Sequence, residues 1–378
     1  MAARKHDDEA MKEALTGRTL AEAAKMLEIH PRNLQRHKAR LARQGWSPEH
    51  GLSTQYPEGF KMGKVTIQRN AAGDIERTWE RMCEDQEKQL IAMQAAIEAM
   101  GEEIPRAAPV AFSRIVDRDL LNCYVITDHH LGALAWHEET RGDDYDLAKA
   151  EQLLVDWFAL AIATAPEAGT GIFAQLGDLL HWDGLDAVTP TSKHVLDADT
   201  RFQKLVRVAI RVIRRIVGML LEKHDRVHVV MAEGNHDLAS SVWLREWLTA
   251  LYENEPRITV DRSPDPYYCY EFGKTALYFH HGHRRKPANV SDVFVAKFRD
   301  VFGRTKHSYA HMGHLHHVDV KENNLMIVEQ HRTLAAADAY ASRGGWMSGR
   351  DAKVITYSCE HGEVGRLTIS PEMLTRAA

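Results

Sequence analysis

Five stretches of the chain end in residues that bind cations. "TDHHLG" carries Asp128, His129 and His130; "LGDLLH" carries Asp178 and His181; "EGNHD" carries Asn235, His236 and Asp237; "HHGH" carries His280, His281 and His283; "GHLHH" carries His314, His316 and His317. Carboxylates, an amide oxygen and imidazoles, with no thiolate among them, form the donor set of a hard or borderline divalent ion. Each stretch taken alone has an ordinary explanation, because Gly-Asp closes turns and an isolated histidine sits in solvated loops or caps helices. Gly313-His314-Leu315-His316 is more pointed, since alternate residues of an extended segment face the same way. Five such endings in series ask for a pair of ions. One carboxylate can give its two oxygens to two cations about 3.5 to 4 Å apart.

The elements that must position these residues are legible on either side of them. "NCYVIT", "GIFAQLG", "RVHVVMAEG", "KTALYFHHG" and "HSYAHMG" read as buried strands, and each runs straight into one of the five endings. Residues 147–164, 201–224 and "SVWLREWLTALY" read as helices between them. Strand and helix in alternation predict an α/β fold: sheets covered by helices, with ligands at the carboxyl ends of the strands. "MIVEQ", "KVITYS" and "GRLTIS" read as strands that complete the second sheet, without chemistry of their own.

The sequence of boxes "DHH", "GD", "GNHD", "HG" and "GHLH" resembles the calcineurin-like metallophosphoesterases over about residues 120 to 320. "TDHHLGALAWHEET", "LDADTRF" and "TLAAADAYAS" further resemble the phage and prophage branch, in which a helix-turn-helix region precedes the phosphoesterase domain. The resemblance implies a four-layer αββα sandwich and two divalent ions. Asp128, His130, Asp178 and His316 would hold one ion, and Asp178, Asn235, His281 and His314 the other, with Asp178 bridging. In "HHGH" His283 competes with His281, and the family's placement of the ligand before glycine favours His281. The donors suit Mn²⁺, with Fe, Zn²⁺, Co²⁺ and Mg²⁺ as alternatives. The resemblance also implies a metal-bridging hydroxide as nucleophile and His236 as the general acid that protonates the leaving group, oriented by Asp237. His181 stands in a box similar to that of the nuclease subunit of bacterial SbcCD complexes, where it would lie close to the substrate phosphate; the competing reading is a residue that only packs. His194 and Arg201 are candidates to line the same cleft. Arg284 and Arg285 would grip flanking phosphates, or belong to a solvated loop.

The chain has 378 residues, 44% of them hydrophobic, enough for a sizeable core and more than one domain. Its net charge of −5 is uneven: residues 1–45 carry ten Lys/Arg against six Asp/Glu, and the remainder 38 against 47. "TLAEAAKMLEIHPRNLQRHKARL" reads as two helices around the turn "EIHP", with Leu20, Ala23, Ala24 and Leu27 on one stripe, Ile29 plugging the turn, and Leu34 and Leu41 facing inward. It looks like a helix-turn-helix with Glu28 where glycine is common. Arg32, Arg36, Lys38, Arg40 and Arg43 follow without an intervening acid, as a helix that contacts DNA phosphates requires. The alternative is an interaction module whose charge is a solvated face. Tyr56 to Arg81 predicts a β-hairpin turning at "NAAGD", and residues 79–104 predict a linker helix through which the chain could dimerise. The expected domains are 1–50, 51–110 and 111–378. No apolar run reaches membrane-spanning length, the N-terminus is charged, and Cys83, Cys123, Cys269 and Cys359 form no CxxC pair, which together lead to the expectation of a cytoplasmic protein, in a bacterial host if phage-encoded. Three function classes follow: a DNA phosphodiesterase or nuclease, a phosphatase or nucleotide phosphodiesterase, and a non-catalytic DNA-binding protein.

Overall fold

A computed structural model describes residues 7–43, 46, 60–70, 75–84, 115–190 and 192–374. The chain divides into two compact units, Met1–Ala92 and Met93–Ala378.

In the first unit, α1 (Asp8–Leu15), α2 (Leu20–Met26) and α3 (Pro31–Arg43) close around Met11, Ala14, Ala23, Ala24, Leu34 and Leu41. Each helix starts where the sequence supplies a signal. Asp7 accepts the Ala10 N–H at 2.8 Å, Thr19 and Glu22 form a reciprocal capping box, and Pro31 opens α3. Glu28, between α2 and α3, takes a left-handed conformation with φ 50°, the backbone that makes glycine common there. Ile29 packs on the core as expected. The hairpin is β1 (Phe60–Arg69) against β2 (Ile75–Glu84), antiparallel. Residues 79–84, expected to begin a helix, are therefore strand: pairing with β1 satisfies their backbone, and that outweighs the helical preference of a charged run. The rest of that expected helix, 85–104, lies outside the described residues.

The second unit is the four-layer αββα sandwich expected. Its six-stranded sheet has the order β13-β12-β3-β4-β5-β6, with β3 (Asp117–Ile126), β4 (Ala168–Gln175), β5 (Arg226–Met231) and β6 (Ile258–Val260) parallel. Helices α4 (Leu147–Thr164), α5 (Phe202–Lys223) and α6 (Leu238–Leu251) make the crossovers. The five-stranded sheet runs β10-β11-β9-β8-β7, from β7 (Tyr268–Phe272), β8 (Thr275–His280), β9 (His307–Met312), β10 (Asp319–Glu322) and β11 (Ile327–Gln330). Strand alternation explains the layers. On β3, Tyr124 and Ile126 face Phe158, Ile213 and Leu248 of the helices, while Cys123 and Val125 face Leu277 and Phe279 of the other sheet. The far face of the second sheet, Tyr278, Ala310, Met312 and Val328, packs on Val290 and on Phe294 of α7 (Ser291–Lys297).

The three C-terminal strands do not all join the second sheet. Only "MIVEQ", as β11, does; β12 (Ala352–Ser358) pairs antiparallel with β3, and β13 (Gly362–Ile369) with β12. The register Lys353↔Val125 spans the whole unit, a pairing that local pattern does not encode. Among the described residues no helix is long and apolar enough to cross a membrane.

Candidate metal centre

The loops after β3 and β4 run side by side. Asp128 N–H donates to Gly177 O at 3.0 Å, His130 N–H to Asp178 O at 3.0 Å, and His181 N–H to Leu131 O at 3.0 Å. From the other sheet, Gly313 N–H reaches His281 O at 2.8 Å, tying the loops after β8 and β9 together. Donor-bearing residues of both sheets thus meet at the carboxyl ends of their strands.

Holding them there strains the backbone. Among the described residues, the non-glycine residues at positive φ are Glu28, Asp128, His130, Arg141, Asp178, Lys193, His314 and His316, and five of those eight are ligand candidates. Such strain persists only where the surroundings over-determine it, and it gathers at functional sites. Two glycines let the loops approach. A Cβ on Gly234 would stand 1.9 Å from Asp178 Oδ1, and one on Gly313 1.8 Å from Thr127 Oγ1.

The donors form two adjoining groups, Asp128 with His130 and His316, and Asp178 with His281 and His314, the ligand atoms of each lying within 4.8 Å of one another. His316 Nε2 is 3.0 Å from Asp128 Oδ1; His281 Nε2 is 3.1 Å from Asp178 Oδ2 and 3.2 Å from Asn235 Oδ1. His281 Nδ1 lies 2.9 Å from the Leu176 carbonyl, so it carries a ring proton and Nε2 is the nitrogen turned toward the carboxylates. His283 instead has both buried ring nitrogens without a hydrogen-bond partner, 5.4 Å from the His281 ring, so the geometry favours His281.

Electrostatics make the cavity receptive to cations. Burial works against the charge of Asp128, yet His316 and His281 outweigh it and hold the carboxyl below its usual range; Asp178 is also held well below its usual range, with His281 and His236 outweighing burial. Burial likewise opposes charge on His281, but Asp178 and Asp128 lift it to about 9. Burial, then His236 and His181, keep His130 neutral well below its ordinary value, and burial with His236 takes His181 down to about 3. Two buried carboxylates kept ionised beside a neutral His130 fit a pair of divalent ions, with the second proton of His281 standing where an ion would displace it.

The remaining candidates divide. His236 is half-buried; its N–H donates to Asp178 Oδ1 at 2.8 Å and its Nδ1 lies 2.7 Å from the His181 carbonyl. Asp237 does not orient that ring, contrary to expectation. Its carboxylate accepts the N–H groups of Asp178 (3.2 Å), Leu179 (2.7 Å), Leu180 (3.2 Å) and Gly234 (3.0 Å), stapling the loop that carries Asp178. Burial, with Asp178 and Asp183 nearby, pushes it up to about 7. With Asp237 so engaged, Asp183 caps α6 through the N–H groups of Ala239 and Ser240. His129 is structural, its Nε2 2.9 Å from the Ala150 carbonyl. His194, Arg201, Arg284 and Arg285 are exposed, and Arg284 stands 4.0 Å from Glu233. In the first unit Arg32 and Arg36 are exposed, whereas Arg40 is bound to Asp8 through both terminal nitrogens and so joins α3 to α1 rather than projecting as a free contact. Lys38 is half-buried, and the side chain of Arg43 lies outside what is described.

Sequence reasoning missed Thr127, whose Oγ1 donates to Asp128 Oδ2 at 2.5 Å, and Thr333, whose Oγ1 donates to Asp128 O at 2.6 Å. Adjacency to Asp128 could have signalled the first; the second comes from 205 residues away.

No family model and no curated protein matches the chain. Solved structures do. A predicted phosphoesterase from Streptococcus pneumoniae TIGR4 is 10% identical, covering 66% of this chain and 98% of its own, with a TM-score of 0.29. A novel archaeal phosphodiesterase is 15% identical over 66% of this chain and 99% of its own, at 0.31. Vps29 complexed with zinc, from Entamoeba histolytica, is 12% identical over 67% of this chain and 99% of its own, at 0.28.

Proposed function

We propose that the chain is a phosphoric ester hydrolase that works with two divalent ions, and that its substrate is a nucleic-acid phosphodiester, making it a DNA phosphodiesterase or nuclease. The observation that carries the hydrolase reading is the convergence of Asp128, His130, Asp178, Asn235, His281, His314 and His316 from five strand ends around two ionised carboxylates. Asp128, His130, Asp178 and His316 would hold one ion, and Asp178, Asn235, His281 and His314 the other, with Mn²⁺ the favoured metal. When bound, such a pair supplies Lewis acidity, making a water more acidic and absorbing charge on the phosphoryl oxygens.

The chain's own contribution is orientation and proton supply. Thr127 and the His314 N–H, 2.8 Å away, fix Asp128 Oδ2, while the four N–H groups on Asp237 fix the loop of Asp178. His236 donates its Nδ1–H to the His181 carbonyl, so Nε2 is the nitrogen that, when the ring is doubly protonated, gives its proton to a leaving alkoxide and returns the ring to the neutral form. Arg284 and Arg285, exposed just beyond "HGH", suit phosphates flanking the scissile one.

The nucleic-acid reading is supported by the acid-free α3, with Arg32 and Arg36 exposed. A phosphatase or nucleotide phosphodiesterase is the second reading, favoured by the engagement of Arg40 with Asp8, which trims the basic face. Metal-reconstituted protein assayed in parallel on a chromogenic phosphomonoester, the matching diester, and single- and double-stranded DNA separates them. DNA should be cut and the diester preferred. Charge reversal at Arg32 and Arg36 should lower DNA affinity and flatten its salt dependence, each lost contact taking about 0.9 from the log–log slope on duplex DNA. Activity confined to the monoester, with DNA binding unchanged by the reversal, would transfer the assignment to the phosphatase class.

A further inference from the structure

His130, His181 and His236 bring ring nitrogens within 4.8 Å of one another, a trio that invites two readings besides contact with substrate. One is a third ion. The other is a hydrogen-bond chain, and the accounting of ring nitrogens favours it. His236 Nδ1 is spent on the His181 carbonyl at 2.7 Å. His181 Nδ1 faces His130 Nδ1 at 3.3 Å, and the Asp197 backbone beside the His181 ring favours a proton on that ring. With Nδ1 turned to His130, Nε2 must be the atom that donates. A neutral imidazole donating at Nε2 keeps its lone pair at Nδ1. The His130 nitrogen opposite must then carry a proton, which leaves His130 Nε2 as the bare nitrogen. A third ion within the trio would need both nitrogens of His130 deprotonated, since the same ring also serves the group of Asp128 and His316.

We propose that His181 is a positioning residue that accepts the Nδ1–H of His130, fixes its tautomer and ring angle, and so tunes the ion held with Asp128 and His316. The inference rests on the two-ion reading above and deepens it. His181 is 3% exposed, so the reaction space does not reach it broadly, whereas His236 is half-buried. Residue 181 then serves twice: its main-chain carbonyl holds His236, and its side chain holds His130. Only the second service is lost on substitution. A hydrogen-bonded partner behind a ligating imidazole is worth ~10–100-fold in metal affinity.

The test uses full-length protein and calorimetric titration with Mn²⁺, followed by kcat and KM on a nitrophenyl diester. His181→Ala should weaken one of two binding events by about 10–100-fold and leave the other nearly unchanged. His181→Asn, whose amide oxygen occupies the Nδ1 position, should retain most of the lost affinity. In His181→Ala, kcat should recover toward the parent as Mn²⁺ is raised to saturation, with KM little changed. If the alanine variant does not fold, His181→Gln, which reaches the Nε2 position but not Nδ1, should weaken binding in its place. Variants that bind Mn²⁺ as the parent does, yet lose kcat alike with Ala and Asn, would show that His181 acts on substrate. Three ions in the parent, falling to two in His181→Ala, would establish the third site instead. Should the parent itself bind no Mn²⁺, the two-ion reading fails first, on a measurement that involves no variant.

Discussion

The second unit holds two buried clusters of histidine and carboxylate, and they differ in what surrounds the acid. At the strand ends, the ion pairs of Asp128 and Asp178 among the described residues are with imidazoles alone. Between the sheets, His311, Glu329 and His331 also place their donor atoms within 4.8 Å, and all three are buried. There Lys353 Nζ sits 2.6 Å from Glu329 Oε1 and Arg366 adds a second cation at 3.1 Å. Burial opposes the charge of Glu329, yet its cationic surroundings, Lys353 hydrogen-bonded to it above all, bring it down to about 2. His311 is spent at both nitrogens, 3.0 Å from His331 Nε2 and 2.9 Å from Tyr357 Oη. Composition and burial are thus shared. Charge balance is not, and it decides which cluster can take an ion.

The largest way to break the comparison is to remove the shared carboxylate. Asp178→Asn should abolish turnover by at least ~10³-fold, beyond the usual loss of one charge-stabilising donor, and weaken both ions together. Cys123→Ser, in the apolar layer between the sheets, should leave metal content unchanged. Two firmly held ions in Asp178→Asn by elemental analysis would end the bridging assignment. At the second cluster the same kind of change should act on stability alone. Glu329→Gln leaves the buried Lys353 ammonium without its carboxylate, at a cost of about 3–5 kcal/mol for breaking a buried pair. Denaturant melts should register the loss, with ion content per folded molecule unaltered; a drop in bound Mn²⁺ would mean that the two clusters are coupled.

How much of this was legible in the sequence follows the range of the contacts involved. The strand-end donor residues were readable as a group because each apolar run stops at its own polar box, a local event. The helices 147–164 and 201–224 were readable for the same reason, their apolar periodicity being internal, and the structure places them at Leu147–Thr164 and Phe202–Lys223. The second cluster was not. His311 and His331 are 20 residues apart and meet only because β9 pairs with β11, while Lys353 arrives from the other sheet. Asp237 was placed beside the correct residue but given the wrong partner, since adjacency to His236 cannot reveal that its carboxylate turns to the loop of 178–180. The local pattern around Arg40 shows one more cation of a basic helix and cannot show that Asp8, 32 residues away on another helix, engages it.

A milder perturbation is pH. Burial takes His311 down to about 4 and His331 well below its ordinary value, so both are neutral in the fold and take up protons on unfolding below about 6.5. The unfolded chain therefore binds more protons between about 6.5 and 4, and stability falls as pH falls through that window. His311 alone contributes a loss of roughly 3 kcal/mol across it. Metal-free protein should show this slope in denaturant midpoints, which keeps the strand-end cluster's ions out of the measurement. His311→Gln should flatten the curve. An unchanged slope would mean that His311 is not held neutral between the sheets.

The smallest effects give the sharpest separation, because one hydroxyl can be deleted in each cluster with little change of shape. Thr127→Val removes the Oγ1–H that donates to Asp128 Oδ2, while the His314 N–H at 2.8 Å stays on the same oxygen. The carboxylate keeps one of two restraints, so Mn²⁺ affinity should fall by about tenfold, the lower end for a group behind a metal ligand, with little loss of fold. Tyr357→Phe removes the hydroxyl 2.9 Å from His311 Nε2. A neutral hydrogen bond is worth about 1 kcal/mol net, and the nitrogen left behind is one of several in a network that Lys353 and Arg366 still balance. Stability should drop by about that amount, and Mn²⁺ titration should match the parent. The two variants should therefore move opposite readouts, one in calorimetry and the other in melts. If Tyr357→Phe weakened ion binding as much as Thr127→Val, the inter-sheet histidines would be part of the metal centre's support rather than a separate structural network.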